Sequence, residues 1–213
     1  MRATLLLLAV LLPQYAAADD DEDGPFISLG VRAGGFWQAR DAPYGGHLAH
    51  IAGRLAAIDP ELSLPVQWGT HVAVHPTRYV ELQLRQRFWS AEVDAQFRRA
   101  DPLDYRYCRT VIPLTFTPRL TYDNDQVGLR VGGGYGVYVV HTSTDGWLGD
   151  RSVTELAPGG LVEAALAVHL GRHATLELAY TYDWFELPET DPQLEDGGDG
   201  GGHGLTLAMT LNL

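Results

Sequence analysis

The stretch that decides the fold runs Val80-Glu81-Leu82-Gln83-Leu84-Arg85-Gln86-Arg87-Phe88. An apolar side chain or an amide occupies every second position, and the positions between carry Glu81, Gln83, Arg85 and Arg87. Because successive side chains of a strand point to opposite faces, this pattern indicates a β-strand with one apolar and one polar face. The same period returns in at least six other segments, each near the roughly 9–11 residues that a tilted strand needs to cross a bilayer.

Eight such strands are predicted over residues 26–38, 65–75, 79–89, 107–122, 127–141, 159–170, 176–184 and 205–213. The connections between them alternate in length, since three are short turns and four are long and polar or Gly-rich, over 39–64, 90–106, 142–158 and 187–203. An even strand count with short turns at one end and long loops at the other is typical of outer-membrane barrels. The sequence therefore predicts an all-β fold, an eight-stranded antiparallel up-and-down transmembrane β-barrel over residues 26–213.

The first 18 residues predict export. Arg2 gives a positive start, residues 5–12 form an apolar core, and Ala16, Ala17 and Ala18 form a small-residue cleavage site. A transmembrane helical anchor is the competing interpretation, but the apolar run is far shorter than the roughly 20 residues that span a bilayer. We expect cleavage near Ala18, an acidic segment over 19–25, and a final location in the outer membrane of a Gram-negative-type cell.

The charge balance limits the classes of partner. The chain carries 15 Lys plus Arg against 27 Asp plus Glu, a formal net charge of −12. A strongly acidic chain is a poor ligand for nucleic acid, so no nucleic-acid partner is predicted. Cys108 is the only cysteine, which excludes an internal disulfide although the predicted export route is oxidising.

Two short motifs carry a family resemblance. Residues 110–116 read TVIPLTF, and after a turn residues 131–138 read VGGGYGVY. In this pattern the chain resembles the small outer-membrane barrel superfamily that includes OmpA-like, OmpW-like and OmpX-like proteins. The resemblance implies an eight-stranded barrel at the cell surface, in contact with membrane lipid and lipopolysaccharide and inserted by the barrel assembly machinery. It implies no cofactor.

The polar face of the predicted strands carries charges of both signs. These residues are Arg32, Glu81, Arg85, Arg87, Arg119, Arg130, Glu163, Glu177 and Asp183. An eight-stranded barrel is just wide enough for side chains to fill its interior, where opposite charges can pair. We therefore expect a charge network in a filled lumen that does not conduct solutes freely. The alternative is a soluble lipocalin-like barrel, which would turn its apolar face inward around a hydrophobic ligand.

Aromatic residues concentrate near the predicted strand ends. The residues assigned to two interfacial belts are Trp37, Trp68, Trp89, Tyr107, Tyr122, Tyr180 and Trp184. Such belts flank the apolar band of transmembrane barrels. Aromatics are also common in any β-protein, so the belts support the membrane assignment without deciding it.

An enzymatic alternative rests on His141, Ser143 and Glu155. Their types and spacing resemble the His, Ser and Glu triad of PagL-type lipid A deacylases, which are also eight-stranded outer-membrane barrels. In such a site His deprotonates Ser and Glu orients the His. The family motif lies on the penultimate strand, whereas here it follows the fifth, and Tyr182, Asp183 and Trp184 stand at the later place. The prediction is that the protein is not an enzyme.

The long connections carry the remaining hypotheses. Residues 45–58 show an apolar stripe at helical spacing, which predicts an amphipathic helix packed over the barrel mouth. Residues 195–203 mix acid and glycine, which predicts a flexible solvated loop with weak divalent cation binding as the alternative. No dedicated metal site is predicted. The function predicted from the sequence is an outer-membrane barrel with a filled lumen and long acidic surface loops, in a structural or surface-interaction role.

Overall fold

The computed structural model describes residues 26–38, 55–59, 66–97, 104–124, 126–146, 150–171, 173–186 and 200–213. Nine β-strands lie in these ranges: β1 (Phe26–Gln38), β2 (Leu55–Asp59), β3 (Val66–Thr77), β4 (Val80–Phe97), β5 (Asp104–Asp123), β6 (Val127–Gly146), β7 (Arg151–His169), β8 (Ala174–Phe185) and β9 (Gly202–Asn212). The predicted signal peptide and acidic segment lie outside the described residues. In the part of the chain that the structure describes, no helix is long and apolar enough to cross a membrane.

Eight of the strands form one closed antiparallel barrel. Their order around the barrel is β4, β3, β1, β9, β8, β7, β6 and β5, and the pairing of β4 with β5 closes the ring. The first barrel strand, β1, pairs antiparallel with the last, β9, and Ser28 lies opposite Asn212. The predicted fold class is confirmed.

The three short turns lie together at one end of the barrel, which we call the short-turn end. Residues 78–79 join β3 to β4. Between β5 and β6 the side chain of Asn124 accepts hydrogen bonds from the backbone N–H groups of Gln126 at 2.9 Å and Val127 at 2.8 Å, as turn-forming Asn residues commonly do. Between β7 and β8, Gly171 adopts a φ of 86°, a conformation that favours glycine.

At the opposite end, β4 to β7 continue beyond their neighbours. We call the continuations, residues 90–97, 104–110, 141–146 and 151–157, the raised rim. The prediction of long loops over 90–106 and 142–158 is therefore largely wrong, because most of these residues belong to paired strands. The prediction used apolar alternation, and in the raised rim the outward face is polar, with Ser90, Glu92 and Ser152 in outward phase.

The short strand β2 corrects a second prediction. Residues 55–58 were expected to end an amphipathic helix, but Leu55–Asp59 pairs antiparallel with residues 94–97 of β4. This part of β4 lies beyond the reach of β3, whose pairing with β4 ends at Phe88. The free strand edge offers backbone hydrogen bonds that outweigh the weak helical pattern. Residues 45–54 of the predicted helix lie outside the described residues.

Candidate functional site: the charged interior and the apolar exterior

The barrel is polar inside and apolar outside. Along β5, Thr115, Thr117 and Arg119 are buried in the interior, while Leu114 and Phe116 are about half exposed on the outer surface. The same alternation holds around the ring, because the side-chain period of two puts every second residue on the outer face. The apolar face of the strands is therefore the outer face. This orientation contradicts the lipocalin-like alternative, which required an apolar interior.

All nine charged residues of the predicted lumen set lie in the interior, and together we call them the interior charge network. None of their side chains is more than 6% exposed. They come from β1, β4, β5, β6, β7 and β8, so that charges far apart in the sequence meet across the lumen. The network contains five Arg and four acidic residues, and Asp123 adds a fifth carboxylate at the short-turn end, 3.9 Å from Arg130.

Glu163 of β7 occupies the centre of this network. Its two carboxylate oxygens each accept a hydrogen bond of 2.5 Å from the guanidinium of Arg85 on β4. Arg32 of β1 donates a third hydrogen bond, at 3.2 Å, and Nη1 of Arg119 on β5 lies 3.4 Å away. Bidentate Arg–carboxylate pairs are the strong, geometrically specific class of ion pair. Glu163 thus ties four strands together through one carboxylate.

Glu177 and Glu81 form the second carboxylate group, nearer the short-turn end. Glu177 accepts hydrogen bonds from Arg119 at 2.6 Å and from Arg130 at 3.0 Å. Glu81 lies 3.5 Å from Arg119 and 3.6 Å from Arg130, and it accepts a hydrogen bond of 2.6 Å from Gln83. Shared guanidinium groups therefore join Glu81, Glu163 and Glu177 into one network, which replaces the hydration that burial removes.

The remaining ion pair of the interior charge network lies nearer the raised rim. Both terminal nitrogens of Arg87 on β4 donate to the carboxylate of Asp183 on β8. The hydroxyl of Tyr138 lies 2.7 Å from Asp183 Oδ1 and 2.9 Å from the carbonyl oxygen of Gly160, and it donates its proton to one of them. Asp183 is fully buried, so this pair closes the lumen above the main network.

Above the Arg87–Asp183 pair an apolar layer fills the interior. This aromatic layer consists of Phe36, Trp89, Val111, Tyr138, Val140, Ala157 and Phe185, from six of the eight barrel strands. Phe36 stacks on Trp89 with ring centroids 4.2 Å apart, and Tyr138 stacks on Phe185 at 4.5 Å. The Arg87 guanidinium lies over the Trp89 ring, 5.6 Å from its centroid. Salt bridges below and packed rings above leave the lumen filled.

Trp89 is the clear error among the predicted interfacial aromatics. It is 1% exposed and belongs to the aromatic layer, not to an outer belt. The physical reason is its phase, since Trp89 follows Arg87 by two residues and so points to the same inner face. Sequence reasoning also missed Phe36 and Phe185, which share the inner phase of Arg32 and Asp183.

The structure places the other predicted belt residues on the outer surface wherever it describes their side chains. Trp37, Trp68, Tyr180 and Trp184 lie toward the raised rim, and Tyr122 lies at the short-turn end and is 74% exposed. The side chain of Tyr107 lies outside the described residues. His203, which the prediction omitted, joins this belt through a 2.5 Å hydrogen bond between its Nδ1 and the Tyr180 hydroxyl.

The candidate catalytic residues do not form a triad. His141 and Ser143 have the outward phase of β6, whereas Glu155 has the inward phase of β7 and lies on the other side of the barrel wall. His141 Nδ1 instead lies 2.9 Å from the hydroxyl oxygen of Thr154, its partner in the strand register. Because a carboxylate on the opposite face cannot orient this imidazole, the deacylase arrangement is contradicted.

Two histidines, His71 and His75, lie in the interior of the barrel. His75 Nε2 lies 3.1 Å from the Ser28 hydroxyl, and His71 Nε2 lies 3.2 Å from the Thr210 hydroxyl. Both are hydrogen-bonded interior side chains. Within the described ranges, no group of three or more His, Cys, Asp or Glu side chains is placed to hold a metal ion. Of the predicted solvated loop over 195–203, residues 195–199 lie outside those ranges, and the prediction is wrong for residues 202–203, which belong to β9 because they pair with β1 and β8.

No family model matches the chain, and no curated protein matches it. Among solved structures it is similar to Ail, the attachment invasion locus protein of Yersinia pestis, in complex with the heparin analogue sucrose octasulfate, with 13% identity over 90% of this chain and 99% of that one and a TM-score of 0.46. It is also similar to the N-terminal β-barrel domain of Pseudomonas aeruginosa OprF, with 11% identity over 87% and 97% and a TM-score of 0.41. Neisserial surface protein A shows 12% identity over 89% and 99%, with a TM-score of 0.42. The likeness concerns the fold alone.

Proposed function

We propose that this protein is an outer-membrane β-barrel with a filled, closed lumen and a structural or surface-interaction role. The observation that carries the proposal is the polarity of the wall, with ion-paired charges inside and a predominantly apolar surface outside. Monomeric soluble proteins rarely expose contiguous apolar patches larger than a few hundred Å². A lipid bilayer is the solvent in which this surface is stable.

The height of the apolar surface supports a bilayer. On β1 the outward side chains run from Ile27 to Trp37 without a polar residue, a span of ten residue steps. At about 3.3 Å per residue and a tilt of about 40°, ten steps rise about 25 Å along the barrel axis, the height of the apolar band in outer-membrane barrels. Aromatic belts at the two ends of this span fit the interfaces.

The contents of the lumen argue against a general diffusion channel. Barrels with aqueous channels have about 16 to 18 strands, whereas eight strands leave room only for side chains or a small ligand. Here the interior charge network and the aromatic layer occupy that room. The proposed function therefore depends on the outer surface and the raised rim, not on transport through the lumen.

The proposed partners follow from location. Membrane lipid and lipopolysaccharide would contact the apolar wall and the aromatic belts, and insertion would depend on the barrel assembly machinery. The raised rim would project from the outer leaflet, and its polar face carries an ion pair between Arg106 and Glu92 at 2.7 Å. Divalent cations bridging the acidic connections to lipopolysaccharide are a further proposed contact, and nucleic acid is not a proposed partner.

Refolding of residues 19–213, with and without detergent micelles, tests the proposal. We expect β-structure by far-UV circular dichroism and a heat-modifiable band on unboiled gels only when micelles are present, because the apolar wall needs an apolar solvent. A monodisperse folded protein in plain buffer would overturn the membrane assignment. In planar bilayers we expect no steady conductance, and porin-sized steps would contradict the closed lumen.

A further inference from the structure

A groove indents the lipid-facing side of the barrel. It has a cavity volume of about 820 Å³ and crosses the outer surface of five neighbouring strands, β9, β1, β3, β4 and β5. Its apolar lining consists of Leu29, Val31, Val72, Leu84, Leu114, Met209 and Leu211, and the inward-pointing residues His71 and Arg85 contribute to its floor.

Behind the groove, the inner side of β1 makes a close side-chain contact. The His71 side chain of β3 reaches beneath β1 and lies 3.2 Å from the hydroxyl of Thr210 on β9. Gly30 occupies β1 at this place, and a methyl group there would overlap the His71 ring. The absence of a side chain at Gly30 therefore leaves room for the His71 ring beneath β1, directly behind the groove.

Two polar side chains interrupt the otherwise apolar lining. Thr70 and Gln86 are register partners on β3 and β4, both exposed on the outer surface, and Gln86 faces Leu114 on its other side. They lie two residues closer to the short-turn end than the outward pair Trp68 and Phe88, whose ring centroids are 5.3 Å apart. Two residues of tilted strand correspond to a depth of about 5 Å below those rings.

That depth places a primary amide just inside the hydrocarbon. Among the described residues Gln86 takes part in no side-chain hydrogen bond. An amide without a hydrogen-bond partner is costly in an apolar solvent, and polar side chains at such depths mark binding or association. The amide therefore calls for a hydrogen-bonding ligand within a groove that is otherwise mainly apolar.

We propose that the groove binds the acyl chain of one membrane lipid and that Gln86 donates a hydrogen bond to the acyl carbonyl at the root of that chain. The site rests on the proposed membrane function. A carbonyl next to a long methylene chain offers a partner for the amide on β4 and apolar contact for the side chains of β1 and β9. A second copy of the barrel fits less well, because two facing indentations would enclose a void, and close packing is what stabilises association in lipid.

The test compares two lipids that differ only at the carbonyl. The full barrel is refolded in micelles and titrated with dimyristoyl phosphatidylglycerol or with its dialkyl ether analogue, and bound lipid is counted by native mass spectrometry. We expect one tightly retained lipid, with the ester form binding about threefold more tightly, the usual size of a hydrogen bond in a membrane. In Gln86→Leu the two lipids should bind equally. An ester-to-ether ratio that is the same in both proteins would overturn the proposal.

A matched pair of variants locates the site. Val31→Trp fills the groove, while Val131→Trp makes the same change on β6, outside the groove, at a residue of similar exposure, 51% against 60%. Only Val31→Trp should lose the retained lipid, and equal loss in both would overturn the proposal. A dimer mass that Val31→Trp abolishes would instead assign the groove to a second copy. A wild-type chain without a heat-modifiable band in micelles would overturn the membrane function and the site with it.

Discussion

Substituting Glu163 by Gln tests the interior charge network at its centre. The carboxylate of Glu163 accepts both bonds of Arg85 and one from Arg32, and it lies 3.4 Å from Arg119. Glutamine keeps the shape, but it replaces one acceptor by an NH₂ group that faces guanidinium donors. Three buried cations then lose their central anion, and breaking a buried pair in this way costs about 3–5 kcal/mol.

Urea unfolding in micelles, read by tryptophan fluorescence and by the heat-modifiable band, measures this loss. Glu92→Gln is the matched control, because its partner Arg106 is at 2.7 Å but both side chains are about half exposed. Exposed pairs contribute at most about 1 kcal/mol. If Glu163→Gln lowers the free energy of unfolding no more than Glu92→Gln does, the interior network does not stabilise the barrel as argued.

Three further predictions concern the plug, the membrane position and catalysis. Trp89→Ala should lower the free energy of unfolding by about 3–5 kcal/mol and raise the ionic conductance in planar bilayers, since it removes the largest ring of the aromatic layer; unchanged stability and conductance would show that the layer does not seal the lumen. Leu207→Arg in the middle of the apolar band, opposite Ala33, should cost about 2–4 kcal/mol in lipid vesicles, whereas Ser152→Arg in the raised rim should cost little; equal costs would contradict the placement of the bilayer. Added lipopolysaccharide should keep the same acyl composition after incubation with Ser143→Ala as with the wild-type protein. A deacylase activity that is present in the wild type and lost in this variant would restore the deacylase hypothesis.

The barrel strands could be predicted because their outer face carries an apolar residue at nearly every second position. The alternation of apolar and polar residues no longer identifies strands where the outward residues are not apolar. In the raised rim the outward residues are polar, as at Ser90 and Ser152, and alternation of apolarity gives no signal even though the strands continue. The short strand β2 forms because it pairs with the free edge of β4. That edge is a tertiary feature, and the local helical pattern at 45–58 contains no information about it.

The interior could be predicted in composition but not in pairing. Arg85, Arg119 and Glu163 alternate with the apolar residues of their strands, and this alternation is enough to place them inside. Which carboxylate meets which guanidinium depends on the stagger of eight strands, and the sequence does not contain that stagger in any local form. The alternation of inward and outward residues is enough to place Trp89 inside. The error there came from treating an aromatic residue near a strand end as interfacial.

The central carboxylate has a consequence for how the barrel is built. Arg32 and Glu163 are 131 residues apart in the chain, and they meet only once β1 has joined β9. Contacts of such long sequence separation form slowly, after the entropy of a very large loop has been lost. Until then an incomplete sheet would carry uncompensated guanidinium groups into the hydrocarbon, where charge is strongly disfavoured. Partly assembled sheets should therefore stay at the membrane surface, and the last strand pairing should complete insertion and neutralisation in one cooperative event.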